Sequence, residues 1–309
     1  MSFTSTVKNE VSKIELNDIE KITFLSSLIQ NQDISYNHIR IKTENVNVAR
    51  RCFTLIKELY NVTCLITVRK GYNFNKNYIY IIEVNQKVSQ ILNNLGLEFN
   101  KKLLSVPMNF IIDDIDLKRA YIMGAFLISG SINDPKKSRY HLEFTVEKKE
   151  YASFLSNLLN NFNLNSKVIK KDNKYMLYIK EAEKISDFLR IINATNALLY
   201  YEDIRIYREQ KNMTNRLNNC EQANVDKTIM ASSELIKAIE VLKNNDILDL
   251  LDDKEKIVIE YREKYPDSSL KELSEIITLE TGNKITKSGL YHRINKIKLM
   301  ASNLKSKNM

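Results

Sequence analysis

Apolar residues recur along this chain at two spacings, one helical and one alternating, and their order repeats. Val7, Val11 and Ile14 share a helical face and predict a short amphipathic helix over residues 2–16. A second apolar helix follows over 19–32. Alternating polarity over 36–44 then predicts a strand, 48–60 a helix, 63–70 and 78–84 strands, and 88–97 a helix. The order returns with an apolar helix over 119–132, a strand over 139–146, a helix over 149–162, strands over 166–171 and 175–180, and a helix over 182–192. Helix-strand-helix-strand-strand-helix therefore occurs twice, the mark of an internal repeat.

The central helix carries small residues at Gly124, Ala125, Ser129 and Gly130, which lets a second helix approach its backbone closely. Asp113, Asp114, Asp116, Lys118 and Arg119 precede it and Asp134, Lys136 and Lys137 follow, leaving too few apolar residues for a membrane span. Laid under the central helix, the first apolar helix places Phe24 on Ile122 and Ser26 on Gly124. Sheets built from such a repeat bury one face against helices and leave the other free. Their strands supply Arg40, Lys42, Arg69, Lys70, Arg139, His141, Lys167, Lys170, Lys171 and Lys174, diluted by Glu44, Glu143 and Glu147. Residues 103–117 join the halves, and Asp116 is the expected N-cap of the central helix. Asp113 and Asp114 look like a carboxylate pair, but acids at a helix start ordinarily serve the cap and the dipole.

Residues 200–220 show little apolar periodicity after Met213 and predict a hinge or exposed connector, followed by a long amphipathic helix over 223–243. A helix over 254–264 stops at Pro266; another starts at Ser268 with Leu270, Leu273, Ile276 and Ile277 on one face. A loop over 279–285, longer than usual, leads to a helix whose inward side is Leu290, Ile294 and Ile297. This is the layout of a helix-turn-helix, whose second helix enters the major groove. Its candidate DNA contacts are Lys284, Thr286, Lys287, Ser288, Tyr291, His292, Arg293, Asn295, Lys296 and Lys298. From Lys284 to Met309 there are seven Lys or Arg and no acid, as phosphate contacts require.

At 309 residues the chain can hold two or three domains, and 43% hydrophobic with 28% charged residues is a globular composition. A net charge of +9 and a pI near 9.1 favour an anionic partner. Cys52, Cys64 and Cys220 are odd in number and lack CxxC spacing, so neither a disulfide framework nor a zinc site is expected. The first ten residues lack the apolar core of a signal peptide, which predicts a cytoplasmic protein, nucleoid-associated if it binds DNA. No membrane, cofactor or small-molecule substrate is expected.

Ile122-Met-Gly-Ala-Phe-Leu-Ile-Ser-Gly130 resembles the nine-residue helix that names the LAGLIDADG family, in which two such helices pack at the centre of a saddle-shaped DNA-binding fold. In the family's nucleases the eighth position is an acid that holds a divalent cation. Here Ser129 stands there, Asn31 in the first half, and Leu127 at the sixth position, so the resemblance implies a degenerate, non-cleaving pair.

With the tail, the chain resembles the WhiA family of sporulation and cell-division regulators. The matching phrases are Met1-Ser-Phe-Thr-Ser5, residues 124–143, residues 215–228 and Lys287-Ser-Gly-Leu-Tyr-His-Arg293. The resemblance implies an α+β fold, a pseudo-symmetric tandem LAGLIDADG-like αβαββα saddle followed by an all-α helix-turn-helix domain. The expected divisions are 1–104, 105–204, a linker over 205–222, and 223–309. It also implies a transcriptional regulator on double-stranded DNA, with Arg40, Lys42, Arg69, Lys70, Arg139, Lys167, Lys170 and Lys171 as backbone contacts. In actinobacterial relatives the family works with an iron-sulfur partner and the principal sigma factor, which puts a sigma factor or another regulator among the implied partners. Two other classes stay open: a nuclease using Asp33 or Asp134, and a nucleoid or chromosome-segregation protein that binds DNA without regulating promoters.

Overall fold

A computed structural model describes residues 2–70, 78–137 and 139–307. Met1, residues 71–77, Ser138 and the last two residues of the basic tail lie outside them. The chain divides into two compact units, Met1–Arg208 and Glu209–Met309.

In the first unit, α1 (Phe3–Val11) is capped by Ser2, whose hydroxyl accepts from the Ser5 N–H, and buries Phe3, Val7 and Val11. Helix α2 (Asp18–Gln30) opens with a reciprocal capping box between Asn17 and Glu20. There follow β1 (Asp33–Ile34), β2 (Ile39–Thr43), α3 (Val46–Tyr60), β3 (Leu65–Lys70), β4 (Tyr78–Val84), α4 (Val88–Asn94) and a small hairpin, β5 (Glu98–Phe99) with β6 (Lys102–Leu103). The second half runs α5 (Ile115–Ser129), β7 (Gly130–Ile132), β8 (Leu142–Val146), α6 (Lys149–Asn160), β9 (Lys167–Lys171), β10 (Lys174–Ile179) and α7 (Ala182–Ile191).

The two antiparallel sheets have the same topology, β1-β2-β4-β3 and β7-β8-β10-β9. Each four-stranded sheet therefore holds one more strand than its periodicity predicts, because β1 and β7 are too short to show alternation, and the β5–β6 hairpin is likewise unpredicted. Arg139 and His141 lie ahead of β8 instead of within it. The N-cap of α5 is Asp114, whose carboxylate accepts from the Asp116 and Leu117 N–H groups at 2.8 Å, so the cap sits two residues before the expected Asp116.

Helices α2 and α5 are buried nearly all round, from Thr23 to Gln30 and from Ala120 to Leu127, as helices at the centre of a core must be. They touch where small residues allow it. A Cβ on Gly124 would lie 2.0 Å from Ser27 Oγ and 2.4 Å from the Phe24 carbonyl oxygen, so only glycine fits there.

Helix α8 runs unbroken from Thr195 to Asn244, and the expected connector over 205–222 is helical throughout. Residues 209–227 are exposed on every side. No apolar stripe is needed there because none of the described residues buries that segment, which is why periodicity fails to show the helix. In the second unit, Leu235, Ile239 and Leu242 of α8 form one core with Val258 and Ile259 of α9 (Asp253–Lys264), Leu273 and Ile277 of α10 (Leu270–Thr281), and Leu290, Ile294 and Ile297 of α11 (Lys287–Lys307). Gly282, at φ 69°, ends α10 in the left-handed conformation. The loop before α11 is residues 282–286, shorter than its sequence suggests.

Candidate nucleic-acid interface

The first turns of α11 are fixed by a cap and a buried stripe. Thr286 Oγ1 accepts from the Gly289 N–H at 3.1 Å, while Leu290, Ile294 and Ile297 are buried. The opposite side therefore faces solvent: Lys287, Ser288, Tyr291, His292, Asn295 and Lys296 are exposed, as is Lys284 in the preceding turn. Arg293 and Lys298 are half-buried.

Three expected contacts are already committed within the protein. Thr286 serves as the cap. Lys296 Nζ lies 3.1 Å from Asp252 Oδ2 and 3.2 Å from Glu255 Oε1, and the hydrogen bonds it donates to these acids raise its pKa. Lys298 Nζ lies 2.7 Å from Glu234 Oε2. The acids come from α8 and the start of α9, distant in sequence, so the basic run from Lys284 onward gives no sign of them.

Strand register sorts the sheet cations. Ile39 and Ile41 are buried toward the helices, so Arg40 and Lys42 point to the free face. Cross-strand partners share a face; Arg69 pairs with Ile79 on that free side, whereas Lys70 pairs with Tyr78 on the other. In the second half Lys167 pairs with Tyr178, itself opposite Glu143 on the free face, while Lys170 pairs with Tyr175 on the helix side. Lys171 lies on the free side and Arg139 is exposed in the turn before β8.

Acids stand near the centres of both free faces. Arg40 Nε lies 3.0 Å from Glu83 and its Nη1 3.2 Å from Asp33, and the Arg40 guanidinium holds the Glu83 carboxyl below its usual range. Glu143 lies 2.9 Å from His141 Nε2. Arg69 and Lys167, on the outer strands β3 and β9, are exposed.

At the feet of α2 and α5 the residues do not fit a divalent cation. Asn31 donates to the Thr145 carbonyl at 3.2 Å and accepts from the Glu147 N–H at 3.3 Å, bridging the halves with an amide. The Ser129 hydroxyl donates to Ala125 O at 2.8 Å. Asp33 is paired with Arg40, and Asp134 accepts from the Lys136 N–H, a turn-forming role. Among the described residues no three His, Cys, Asp or Glu side chains gather to hold a metal ion. No helix of the described residues is long and apolar enough to cross a membrane.

Two αββαββα halves crossed through apolar helices, with a helix-turn-helix on the same chain, define the class: a tandem LAGLIDADG-like fold joined to a helix-turn-helix. Residues 25–98 match the WhiA N-terminal LAGLIDADG-like domain, 118–211 the WhiA LAGLIDADG-like domain, and 214–301 the WhiA C-terminal HTH domain. The chain is 41% identical over 314 residues to the probable cell division protein WhiA of Bacillus cytotoxicus, covering 99% of this chain and 98% of that one. It is 40% identical over 312 residues to the protein of the same name in Bacillus mycoides, again covering 99% and 98%. The crystal structure of full-length DUF199/WhiA from Thermatoga maritima superposes with a TM-score of 0.60 at 26% identity, over 98% of this chain and 99% of that one. The chain belongs to the WhiA family.

Proposed function

We propose that this chain is a sequence-specific regulator that binds double-stranded DNA, is tied to cell division as its relatives' names say of them, and cleaves nothing. The observation that carries the reading is the first two turns of α11. They present Lys287, Ser288, Tyr291 and His292 to solvent on a helix whose other side is locked into a core. A helix so held can enter a major groove and meet base edges without paying to order itself. Arg293 and Asn295 flank that patch, and Lys284 stands ready for a phosphate. If Arg293 reads a guanine, Arg293→Ala costs about 1 to 3 kcal/mol of specific binding and little on random duplexes.

The sheets take a second role. Arg69, Lys167 and Lys171 reach backbone phosphates from the outer strands of the free faces, and Lys42 from the inner strand β2. Leu65 and Ile169, 61% and 42% exposed beside them, suit a protein partner such as a sigma factor or another regulator. Absence of cleavage rests on Asn31 and Ser129, whose amide and hydroxyl supply none of the carboxylate oxygen a catalytic cation needs.

Genome-wide occupancy of the full chain, compared with the Lys287→Ala/Tyr291→Ala double variant, tests the reading. Promoter-centred peaks should vanish in the variant at equal protein level. Peaks that persist would move recognition to the sheets, and peaks away from promoters without expression changes would favour a scaffold role. Magnesium-dependent nicks in supercoiled plasmid, lost on Asp33→Asn, would overturn the non-cleaving assignment.

A further inference from the structure

Within the second unit, the C-terminal part of α8, the turn between α9 and α10, and the first turns of α11 enclose a cleft of about 290 Å³. Its rim carries three ammonium groups from three different elements: Lys227 of α8, Lys271 of α10 and Lys287 of α11. Lys227 and Lys287 are exposed with no acid within ion-pair distance among the described residues, and Lys271 makes only a loose contact, 4.0 Å, to Glu275. Lys298 also lines the cleft, but Glu234 neutralises it.

Beneath the rim lies Arg262, only 2% exposed. Its Nη1 donates to the carbonyls of Tyr265, Pro266 and Ser268, at 3.4, 3.2 and 2.7 Å. Its Nε is buried without a partner. A buried guanidinium surrounded by carbonyl dipoles, with no carboxylate in contact among the described residues, leaves net positive charge at the cleft wall. The nearby Glu272 is occupied by the capping box, where it accepts from the Ser269 N–H at 2.8 Å. Ser268, Ser269, Thr228 and Asn295 add polar groups to a floor that also holds Ala231, Leu235, Leu270 and Ile294.

We propose that this cleft seats one phosphate of the DNA backbone, clamped by Lys227 and Lys271 beside the base-reading helix. The inference rests on the proposed DNA binding through α11 and adds residues and a role that helix alone does not supply. Lys287 belongs both to the exposed patch of α11 and to the cleft, so a duplex that meets the patch brings its backbone to the rim. Phosphate contacts fix the register in which side chains meet bases. The clamp sets how deep α11 sits in the groove and contributes equally on all sequences.

The test uses the full chain, its Lys227→Gln/Lys271→Gln variant and a duplex from an occupied promoter. The variant should bind specific and random duplexes more weakly by the same factor, and the slope of log K against log salt should fall by about 1. A scan replacing single phosphodiesters with neutral methylphosphonates should find one linkage whose replacement weakens the wild type and leaves the variant unchanged. An unaltered salt slope with no such linkage would overturn the clamp. So would inorganic phosphate shifting the amide resonances of Lys227 and Lys271 without DNA while the linkage scan stays flat, since the cleft would then take a free oxyanion. Failure of the wild type to bind any duplex would instead remove the DNA reading beneath it, and the two failures are distinguishable.

Discussion

Gly124→Ala puts one methyl group where α5 meets α2, and its consequence can be worked from the contact. The added carbon would lie 2.4 Å from the Phe24 carbonyl oxygen and 2.0 Å from Ser27 Oγ. Ser27 can rotate away, giving up the 2.9 Å bond its hydroxyl donates to Phe24 O. The carbonyl cannot, so the helices must separate by about 1 Å to restore ordinary contact. A gap of that size forfeits a quarter to a half of each dispersion contact across the interface, and overpacking of this kind costs about 1 to 3 kcal/mol. Alanine's better helix propensity returns about 1 kcal/mol. The obstacle is backbone, so the upper end of the cost applies and the net loss is about 2 kcal/mol. The chain has two units, so one melting temperature does not isolate this effect. Hydrogen exchange of the α2 and α5 amides does: their opening free energy should drop by that amount while α10 and α11 are unchanged. Equal or slower exchange in α2 and α5 would refute the close crossing.

Asn31→Asp restores an acid at the family's metal position but removes the donor to Thr145 O; it should cost about 1 to 3 kcal/mol of stability by denaturant titration and produce no magnesium-dependent nicking. Lys8 lies 5.7 Å from the Phe126 ring, and burial pushes its ammonium down to about 8 from an ordinary 10.5, with Glu44 opposing the shift. Unfolding therefore takes up a proton between those values, so stability rises with pH from about 8 and levels off near 10.5. Lys8→Met should raise stability at pH 7 by roughly 1 to 3 kcal/mol and flatten that rise; an unchanged pH profile would contradict it. Lys287→Ala should weaken DNA binding more than Lys296→Ala, because Asp252 and Glu255 already hold Lys296. Lys296→Ala should instead speed hydrogen exchange of the α9 and α11 amides by leaving the buried Glu255 carboxylate without its ammonium partner; a larger binding loss for Lys296→Ala would reverse that assignment.

The repeat was legible because a half-buried sheet and a helix buried on all sides impose different periods, and residues 19–192 keep both. The close approach at Gly124 was legible for the same reason: a small residue in an otherwise bulky apolar helix has few other uses. Asp116 was misplaced as the cap because three acids crowd that start and only geometry selects Asp114. The short strands β1 and β7 fell below the length at which alternation shows. The committed state of Lys296 and Lys298 was invisible because their acids come from α8 and the start of α9.

The connector teaches the converse. Residues 209–227 contain asparagine at 212, 215, 218, 219 and 224 and carry no stripe, yet they lie within one helix. Asparagine is a poor helix former, and an exposed helix of this length is marginal in water. Neither propensity nor packing holds the segment; it is helical by continuity with ends anchored through Ala197 and Tyr201 on one side and Leu235 and Ile239 on the other. Sequence patterns report what is buried. A segment kept free of burial leaves no such pattern, and its exposed surface runs up to Lys227, at the rim of the cleft beside α11.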